Sequence, residues 1–288
     1  MGELVFAAKV THVPTMLISL KDGPLKGTRK NAIDGHIEIG RRMRALGVTT
    51  VVVVDTHWLV NSGYHINAKA HFSGTYASNE FPQFIDRLDY DHPGNPELGN
   101  AIAKIATEEK GVYMLSHQVE ALELEYGTLV PMHFMDPDGD FKVVSIAGWC
   151  EAHRHSSSRK VGEAIRAAIE ASDEKVALLA SGSFSHRLFP TEEYAAKNGT
   201  FNISREFNRQ VDLMMIEMWK RGDWATFLEC LPDYAEYCSG EGDMHDTVML
   251  FGALGWDKYV GKAELLGEYF PSSGTGQANL VLPVEGMA

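Results

Sequence analysis

The fold class is decided by residues 49–54, TTVVVV, which lie between Gly47 and Asp55. A half-buried strand alternates apolar with polar residues, whereas four consecutive valines leave no polar face. The run therefore predicts a strand that is buried on both faces. Such strands belong to parallel sheets that are covered by helices on both sides.

Segments before and after this strand continue the same alternation. Apolar runs at residues 4–10, 143–146 and 176–180 predict three further strands. Residues 32–46 predict a helix that ends at Gly47, because glycine is common just past a helix end. We therefore expect an α/β fold, a single domain over residues 1–288, with a mostly parallel central sheet and helices on both faces.

Three more helices are predicted in the second half of the chain. One has residues 156–158, SSS, available as a cap and is defined by the helical spacing of Val161, Ala164, Ile165, Ala168 and Ile169. A second covers residues 204–221, ends at Gly222 and is expected to turn inward Phe207, Val211, Met214, Met215 and Met218. The third covers residues 244–254 and ends at Gly255.

The composition excludes several classes of protein. The chain has 288 residues, of which 44% are hydrophobic and 23% charged, which suits a packed core and not a disordered chain. Its 26 basic and 39 acidic residues give a net charge of −13, which disfavours nucleic acid or an anionic membrane as a partner. No run approaches the roughly 18 apolar residues of a membrane span. Three cysteines without C-x-x-C spacing favour a reducing cytoplasm.

Three histidines follow predicted strands. His12 follows residues 4–10, His57 follows the valine run, and His186 follows residues 176–180. In open α/β sheets, ligands bind beyond the carboxyl ends of the strands. A single histidine in such a position is more often a hydrogen-bonded loop residue, but three of them at one edge predict a functional site.

A fourth candidate is Glu241 in the segment GEGD at residues 240–243. The glycines on either side allow the backbone to come close to a metal ion. We interpret Glu241 as a metal ligand, Asp243 as the N-cap of the next helix and Asp246 as an acid that favours the helix dipole. Two imidazoles and one carboxylate serve both non-haem Fe(II) oxygenases and catalytic zinc sites, and the spacing does not choose between the two metals.

Seven motifs in order resemble one family over nearly the whole chain. They are THVP at 11–14, NAIDGH at 31–36, DTHWLVNS at 55–62, LEYGTLVP at 124–131, ASGSFSHR at 180–187, GEGDMHDT at 240–247 and SSGTGQ at 272–277. Each motif is modest alone, but the ordered set is specific. The chain thereby resembles the class III extradiol ring-cleaving dioxygenases.

This resemblance implies roles for five residues. It implies that His12, His57 and Glu241 hold Fe(II), with Mn(II) as another metal that would fit, and that His186 is the acid/base. Many relatives carry Asp-His-Gly where this chain has EYG at residues 125–127. Tyr126 would then supply the hydrogen bond near the oxygen that a second histidine supplies in those relatives.

The resemblance also implies a substrate. It implies insertion of both atoms of O₂ into a catechol, 3,4-dihydroxyphenylacetate, to give 5-carboxymethyl-2-hydroxymuconate semialdehyde in aromatic catabolism. Another catechol or a 2-aminophenol is the alternative substrate. The family further implies a homo-oligomer, without fixing the number of subunits.

Four residues are candidates for contact with the substrate: His117, His133, Arg187 and His245. For His245, a role as a partner of Glu241 or as its replacement is the alternative. The remaining histidines are interpreted as loop or surface residues without a role: His36, His65, His71, His92, His153 and His155.

Three other functions compete with the dioxygenase. A zinc hydrolase would use the same three ligands with a metal-bound hydroxide. A serine hydrolase would use Ser183 or Ser185 beside His186, but this segment lacks the G-x-S-x-G pattern. A binding protein that had lost its metal would not be expected to keep all four proposed site residues.

Overall fold

The computed structural model describes residues 1–284. Its strands are β1 (Glu3–Val10), β2 (Thr50–Val60), β3 (Tyr64–Asn67), β4 (His71–Tyr76), β5 (Leu88–Pro93), β6 (Met114–His117), β7 (Lys142–Cys150), β8 (Lys175–Ser181), β9 (Glu264–Ser272) and β10 (Thr275–Leu282). Its α-helices are α1 (Thr15–Ile18), α2 (Lys30–Leu46), α3 (Pro96–Glu108), α4 (Tyr126–Met135), α5 (His155–Ala171), α6 (Thr191–Tyr194), α7 (Glu206–Arg221), α8 (Trp224–Tyr237) and α9 (His245–Leu254).

An eight-stranded sheet has the order β6-β3-β7-β2-β8-β1-β10-β9. The four central strands, β7, β2, β8 and β1, run parallel to one another. On one side β10 and β9 continue the sheet antiparallel, and on the other side β3 joins β7 antiparallel while β6 is parallel to β3. Strands β4 and β5 form a separate hairpin. The predicted mostly parallel sheet is confirmed.

Strand β2 shows how the two faces of this sheet are buried. Val52 and Val54 pack into an apolar cluster with residues of α3, α5 and α9, whereas Val51 and Val53 pack into a second cluster with residues of α2 and α4. Successive side chains of a strand point to opposite faces, so a run of valines is needed where helices cover both. The predicted α/β class, with helices on both faces, is confirmed.

Three helices end at the predicted glycines, but the cap predicted at the start of a fourth helix is wrong. Gly47, Gly222 and Gly255 take left-handed backbone angles after α2, α7 and α9, with φ of 71°, 75° and 98°. The predicted serine cap of α5 is wrong, because residues 156–158 lie inside the first turn and Arg154 occupies the cap without a side-chain bond.

The inward face predicted for α7 is also partly wrong. Phe207 and Met214 are 51% and 45% exposed, although Met215 is buried. The buried face instead carries Asp212, whose carboxylate accepts hydrogen bonds from hydroxyl groups of other elements. The spacing of apolar residues cannot predict that this face is buried. A carboxylate is buried only when it is hydrogen-bonded, and its partners here lie far away in the sequence.

No helix within residues 1–284 is long and apolar enough to cross a membrane.

Candidate metal centre and active-site cavity

The pairing of three neighbouring strands determines where the site lies along the sheet. Val10 of β1 and Asp55 of β2 both pair with Ser181 of β8. His12 lies two residues after Val10, and His57 lies two residues after Asp55, at the carboxyl edge of the parallel strands. His57 does not follow its strand as predicted, because β2 continues to Val60 with a register irregularity after Asp55.

Glu241 reaches this edge from the other end of the chain. It begins a short 3₁₀ helix, Glu241–Met244, between α8 and α9. The backbone before it pairs with the segment after β8: Glu241 N–H donates to Phe184 O at 3.2 Å and His186 N–H donates to Ser239 O at 2.7 Å. These bonds bring Glu241 and His186 to the same side of the sheet edge.

The three predicted ligands converge. His12 Nε2 lies 3.2 Å and His57 Nε2 lies 3.6 Å from Glu241 Oε1. One ligand atom from each residue lies within 4.8 Å of the other two. The two imidazole rings are nearly perpendicular, at 85°, with centroids 4.8 Å apart.

Ser181 determines which nitrogen of His12 faces Glu241. The Ser181 hydroxyl donates its proton to Gly127 O at 2.5 Å. Its oxygen can then only accept from His12 Nδ1, which lies 3.0 Å away. The Nδ1 atom of His12 therefore carries a hydrogen, so in the neutral ring Nε2 keeps the lone pair that a metal ligand needs.

Glu241 is a buried carboxylate held in its ionised form. Thr56 Oγ1 donates to Oε1 at 2.6 Å, and the backbone N–H of Ser183 donates to Oε2. Burial alone would raise the pKa of Glu241, but the charges of His12 and His186 and the His12 hydrogen bond outweigh it and hold the pKa well below its usual range.

The two histidines respond to the same surroundings in opposite ways. Burial, with the charge of His12, lowers the pKa of His57 to about 3, so its imidazole is neutral near pH 7. Burial also acts to lower the pKa of His12, but Glu241 and Asp55 outweigh it and raise that pKa. A cation is thus favoured between His12 and Glu241, and these residues fit a divalent metal held by two nitrogens and one oxygen.

A cavity opens beside this trio. Its wall combines the trio's two histidines with the predicted catalytic residues and with apolar and hydroxyl side chains. It is lined by His12, Val13, Pro14, Thr15, His57, Glu80, Phe81, Phe84, Tyr126, Ser183, His186, Leu188, Ser272, Ser273 and Thr275.

Tyr126 stands over the metal ligands at the start of α4. Its ring centroid lies 3.7 Å from that of His57 and 5.6 Å from that of His12. Burial and the charge of Glu241 raise the pKa of Tyr126, so the phenol keeps its proton. Within residues 1–284 this hydroxyl has no hydrogen-bond acceptor, and the side chain of Tyr126 lines the cavity.

The four substrate-contact candidates do not line this cavity. His117 stacks on His65 with a 2.7 Å contact between their ring nitrogens, and His133 packs against Phe134. His245 is buried, with Nδ1 2.7 Å from the hydroxyl of a serine in α5. Arg187 is exposed beyond His186. Their placement gives no support to a role in binding substrate.

The interpretation of Asp243 as the N-cap of α9 is wrong, whereas Asp246 lies in the first turn of α9 as predicted. Asp243 makes no capping bond and has φ of 54° inside the 3₁₀ helix. Asp246 is fully buried and pairs with Lys9, whose Nζ lies 2.6 Å from its Oδ2. The place of Asp246 at a helix start was predicted from the sequence, but its pairing with a buried lysine of β1 was not.

His36 is neither a loop nor a surface residue. It is buried in α2, with Nε2 2.9 Å from Thr11 O and Nδ1 2.9 Å from Ala32 O. Burial lowers the pKa of His36 to about 4. The ring therefore braces the backbone directly before His12.

Several residues that shape the site were not singled out from the sequence. Asp55 is buried, and it accepts hydrogen bonds from the backbone N–H of His57 at 2.8 Å and from Thr128 Oγ1 at 2.7 Å. An acidic residue at the end of a buried valine run could have indicated this role of holding the backbone at His57. Phe81 and Phe84, between β4 and β5, gave no signal because they lie in an irregular segment.

The comparisons with known proteins agree with this fold and site. The family model described as the catalytic LigB subunit of aromatic ring-opening dioxygenase matches residues 6–283. The chain belongs to this family. It is therefore an extradiol ring-cleaving dioxygenase, as its motifs indicated.

Two relatives and one solved structure illustrate the similarity. A 3,4-dihydroxyphenylacetate 2,3-dioxygenase of Escherichia coli is 52% identical over 262 residues, which cover 91% of this chain and 94% of the relative. A 2-aminophenol 1,6-dioxygenase beta subunit of a Pseudomonas species is 27% identical over 239 residues, which cover 79% and 75%. The crystal structure of an uncharacterized protein from Escherichia coli K12 shares the fold, with a TM-score of 0.64, 14% identity and coverage of 96% and 99%.

Proposed function

We propose that this protein is an Fe(II)-dependent extradiol dioxygenase that converts 3,4-dihydroxyphenylacetate and O₂ to 5-carboxymethyl-2-hydroxymuconate semialdehyde. The observation that carries the proposal is the convergence of His12, His57 and Glu241 beside a cavity that His186 and Tyr126 also line. The 52% identity to a relative of that name supports this substrate.

The metal would be held by the two Nε2 atoms and the carboxylate of Glu241. Two histidines and one carboxylate leave coordination positions open, which is the arrangement of non-haem Fe(II) oxygenases. A bound Fe(II), or Mn(II) in its place, would supply the electron transfer between catechol and O₂ that the reaction needs.

His186 would move the protons. Its ring lies in the cavity wall and is half-buried. An imidazole can accept the proton that a catechol hydroxyl loses on binding and return it to the departing oxygen later in the reaction. Positioned acid–base help of this kind is typically worth about 10²–10⁴-fold in rate.

Tyr126 would orient the reactants without changing its own protonation. Its raised pKa keeps the phenol a donor over the working pH range. Phe81, Phe84 and Leu188 give the cavity an apolar wall that suits an aromatic ring and excludes water. Ser272 and Ser273 also line the cavity, and their hydroxyl groups would be polar partners for the side chain of the substrate.

A 2-aminophenol or an uncharged catechol is the second candidate substrate. The 27% identical relative carries the name of a 2-aminophenol dioxygenase subunit. Within residues 1–284, no lysine or arginine lines the cavity, so a substrate carboxylate would have to be met by hydroxyl groups. We favour 3,4-dihydroxyphenylacetate because the identity to its dioxygenase is almost twice as high.

The proposal is tested by loading the protein with Fe(II) without oxygen and then adding O₂ and one substrate at a time. We expect one O₂ consumed per 3,4-dihydroxyphenylacetate, a yellow product, and slower turnover of catechol and 2-aminophenol. His57→Ala should abolish both signals, and His71→Ala, at an exposed histidine, should leave them unchanged. Oxygen-independent hydrolytic activity with Zn²⁺ would instead support the zinc hydrolase.

We further propose a homo-oligomer in the cytoplasm, with no nucleic-acid or membrane partner. The net charge of −13 supports the absence of nucleic acid. Light scattering during gel filtration would give the mass of the assembly, and a mass of 31.8 kDa would contradict an oligomer.

A further inference from the structure

A second group of potential metal ligands lies outside the cavity. His155 at the start of α5, Asp243 in the 3₁₀ helix and His245 at the start of α9 each place one ligand atom within 4.8 Å of the other two. Asp243 Oδ2 lies 3.6 Å from His155 Nε2 and 3.8 Å from His245 Nε2. None of the three lines the active-site cavity.

We propose that these three residues form a second site for a divalent transition metal of the Zn²⁺ class. Two imidazole nitrogens and one carboxylate oxygen match the ligands that such borderline cations prefer. The inference goes beyond the ring-cleaving activity and does not depend on which catechol is the substrate.

The ring of His245 is already fixed for this role. Ser158 Oγ lies 2.7 Å from its Nδ1 and 2.8 Å from Tyr64 OH, so the far side of the ring is engaged in a hydrogen-bonded chain. The Nε2 atom then faces Asp243 and His155. Fixing the ring through its other nitrogen is the usual support of a histidine ligand.

His155 and Asp243 leave the site open to solvent. The side chain of His155 is 21% exposed and that of Asp243 is 57% exposed, so a cation can enter without unfolding. His155 Nε2 now donates its hydrogen to Asp243 O at 2.7 Å. A cation bound at Nε2 requires the form of the ring with its hydrogen on Nδ1, and the Asp243 carbonyl oxygen lies beside that Nε2 atom as a further ligand atom.

The site would act on the turn that carries Glu241. Gly242, Asp243 and Met244 all take left-handed backbone angles, with φ of 56°, 54° and 62°. Asp243 and Met244 carry a Cβ and are strained in this region, and such strain persists only where the surroundings hold it. A cation shared by Asp243, α5 and α9 would pin this turn and therefore steady Glu241 in the active site.

Metal counting tests the proposal on the full chain. After dialysis against Zn²⁺, we expect the wild type to retain one more equivalent than His155→Ala. Asp243→Asn should lose the same equivalent while keeping the backbone, because asparagine also tolerates positive φ. His71→Ala is the matched control, because His71 lies 3.0 Å from an exposed aspartate and belongs to neither group of three potential ligands within residues 1–284. It should retain the wild-type number.

A second measurement separates this site from the active site. In His57→Ala, Zn²⁺ should still raise the melting temperature, and the rise should disappear in His57→Ala/His155→Ala. A crystal of the Zn²⁺-soaked protein should show an anomalous peak between His155, Asp243 and His245. Equal Zn²⁺ retention by the wild type, His155→Ala and Asp243→Asn would overturn the proposal, as would an anomalous map without that peak.

Discussion

Ser181 Oγ lies 3.0 Å from His12 Nδ1, and this contact fixes the nitrogen that His12 presents to Glu241. The serine can only accept from His12, because its own hydrogen is donated to Gly127 O. The strand register that pairs Ser181 with Val10 therefore also selects the tautomer of a metal ligand. The Ser181 hydroxyl thus connects the pairing of the strands with the chemistry of the metal site.

Ser181→Ala should weaken metal binding without unfolding the protein. The loss of a partner behind a histidine ligand typically costs about 10–100-fold in metal affinity. Iron retention after dialysis, measured against competing chelator, checks this. Ser19→Ala is the matched control, because Ser19 is also buried and bonded to a carbonyl but lies outside the cavity wall. Equal iron affinity in both variants would show that Ser181 does not orient His12.

The buried pair Lys9–Asp246 is expected to be costly to break from one side. Both side chains are fully buried and 2.6 Å apart, so Lys9→Met would leave an unpaired carboxylate in the core. Such a loss costs about 3–5 kcal/mol, whereas replacing both partners by apolar residues is often neutral. In urea unfolding, Lys9→Met should show a large loss of unfolding free energy. The double variant Lys9→Met/Asp246→Leu should recover most of that free energy.

The control for this pair is Lys21–Asp86, which has the same 2.6 Å separation but exposed side chains. Exposed ion pairs contribute about 0–1 kcal/mol, so Lys21→Met should change the free energy of unfolding little. A similar loss in Lys9→Met and Lys21→Met would contradict the inference that burial sets the cost.

The sequence predicted the central elements because their signals are local. The valine run of β2 and the glycines after α2, α7 and α9 depend only on neighbouring residues. The rule that ligands bind beyond parallel strands also predicted that His12, His57 and His186 lie at one edge of the sheet. These predictions needed only the periodicity and the rule that ligands bind beyond parallel strands.

The remaining features could not be predicted because their partners lie far away in the chain. Asp246 is separated from Lys9 by 237 residues, and His36 is buried only because α2 packs over the strand that ends before Thr11. The substrate-contact candidates show the same limit. A histidine's residue type is visible in the sequence, but which wall of a cavity it reaches is set by tertiary packing.

The buried His36 should make stability fall in mild acid. Its pKa is about 4 in the folded protein against 6.5 for an ordinary histidine, so the unfolded chain takes up the proton first as pH falls. Stability from this residue is complete above pH 6.5 and is lost progressively toward pH 4. The difference between these two pKa values corresponds to roughly 3 kcal/mol of unfolding free energy.

Urea unfolding between pH 7 and pH 4 measures this loss. His36→Gln should show a shallower pH dependence than the wild type by roughly that amount, whereas His71→Gln, at an exposed position, should keep the wild-type slope. Identical slopes in the wild type and in His36→Gln would mean that His36 does not titrate as its burial requires.

His186→Phe should bind metal and catechol but turn over slowly. The phenyl ring keeps the apolar volume of the imidazole in the cavity wall and removes its proton transfer. We expect kcat to fall about 10²–10⁴-fold while iron retention stays at the wild-type level. Single-turnover kinetics with the Fe(II)-loaded variant give the rate, and catechol cleavage at the wild-type rate would exclude His186 as the proton donor.

Asp212 is expected to position His186 from behind. Its carboxylate accepts from the hydroxyls of Ser185, Tyr234 and Tyr269, each at 2.7 Å, and Ser185 directly precedes His186. Asp212→Asn keeps the shape but replaces one acceptor oxygen by a donor, which leaves a buried hydroxyl without an acceptor. We expect a loss of about 1–3 kcal/mol in unfolding free energy and a fall in kcat at unchanged iron affinity.

Tyr234→Phe is the matched variant for this prediction. It removes one donor to Asp212 and leaves the carboxylate its bonds to Ser185 and Tyr269, so it should lower stability with a smaller effect on kcat. Comparing kcat and unfolding free energy across the two variants separates positioning from bulk stability. If Asp212→Asn lost stability while kcat stayed at the wild-type value, the carboxylate would support α7 alone and not the segment that carries His186.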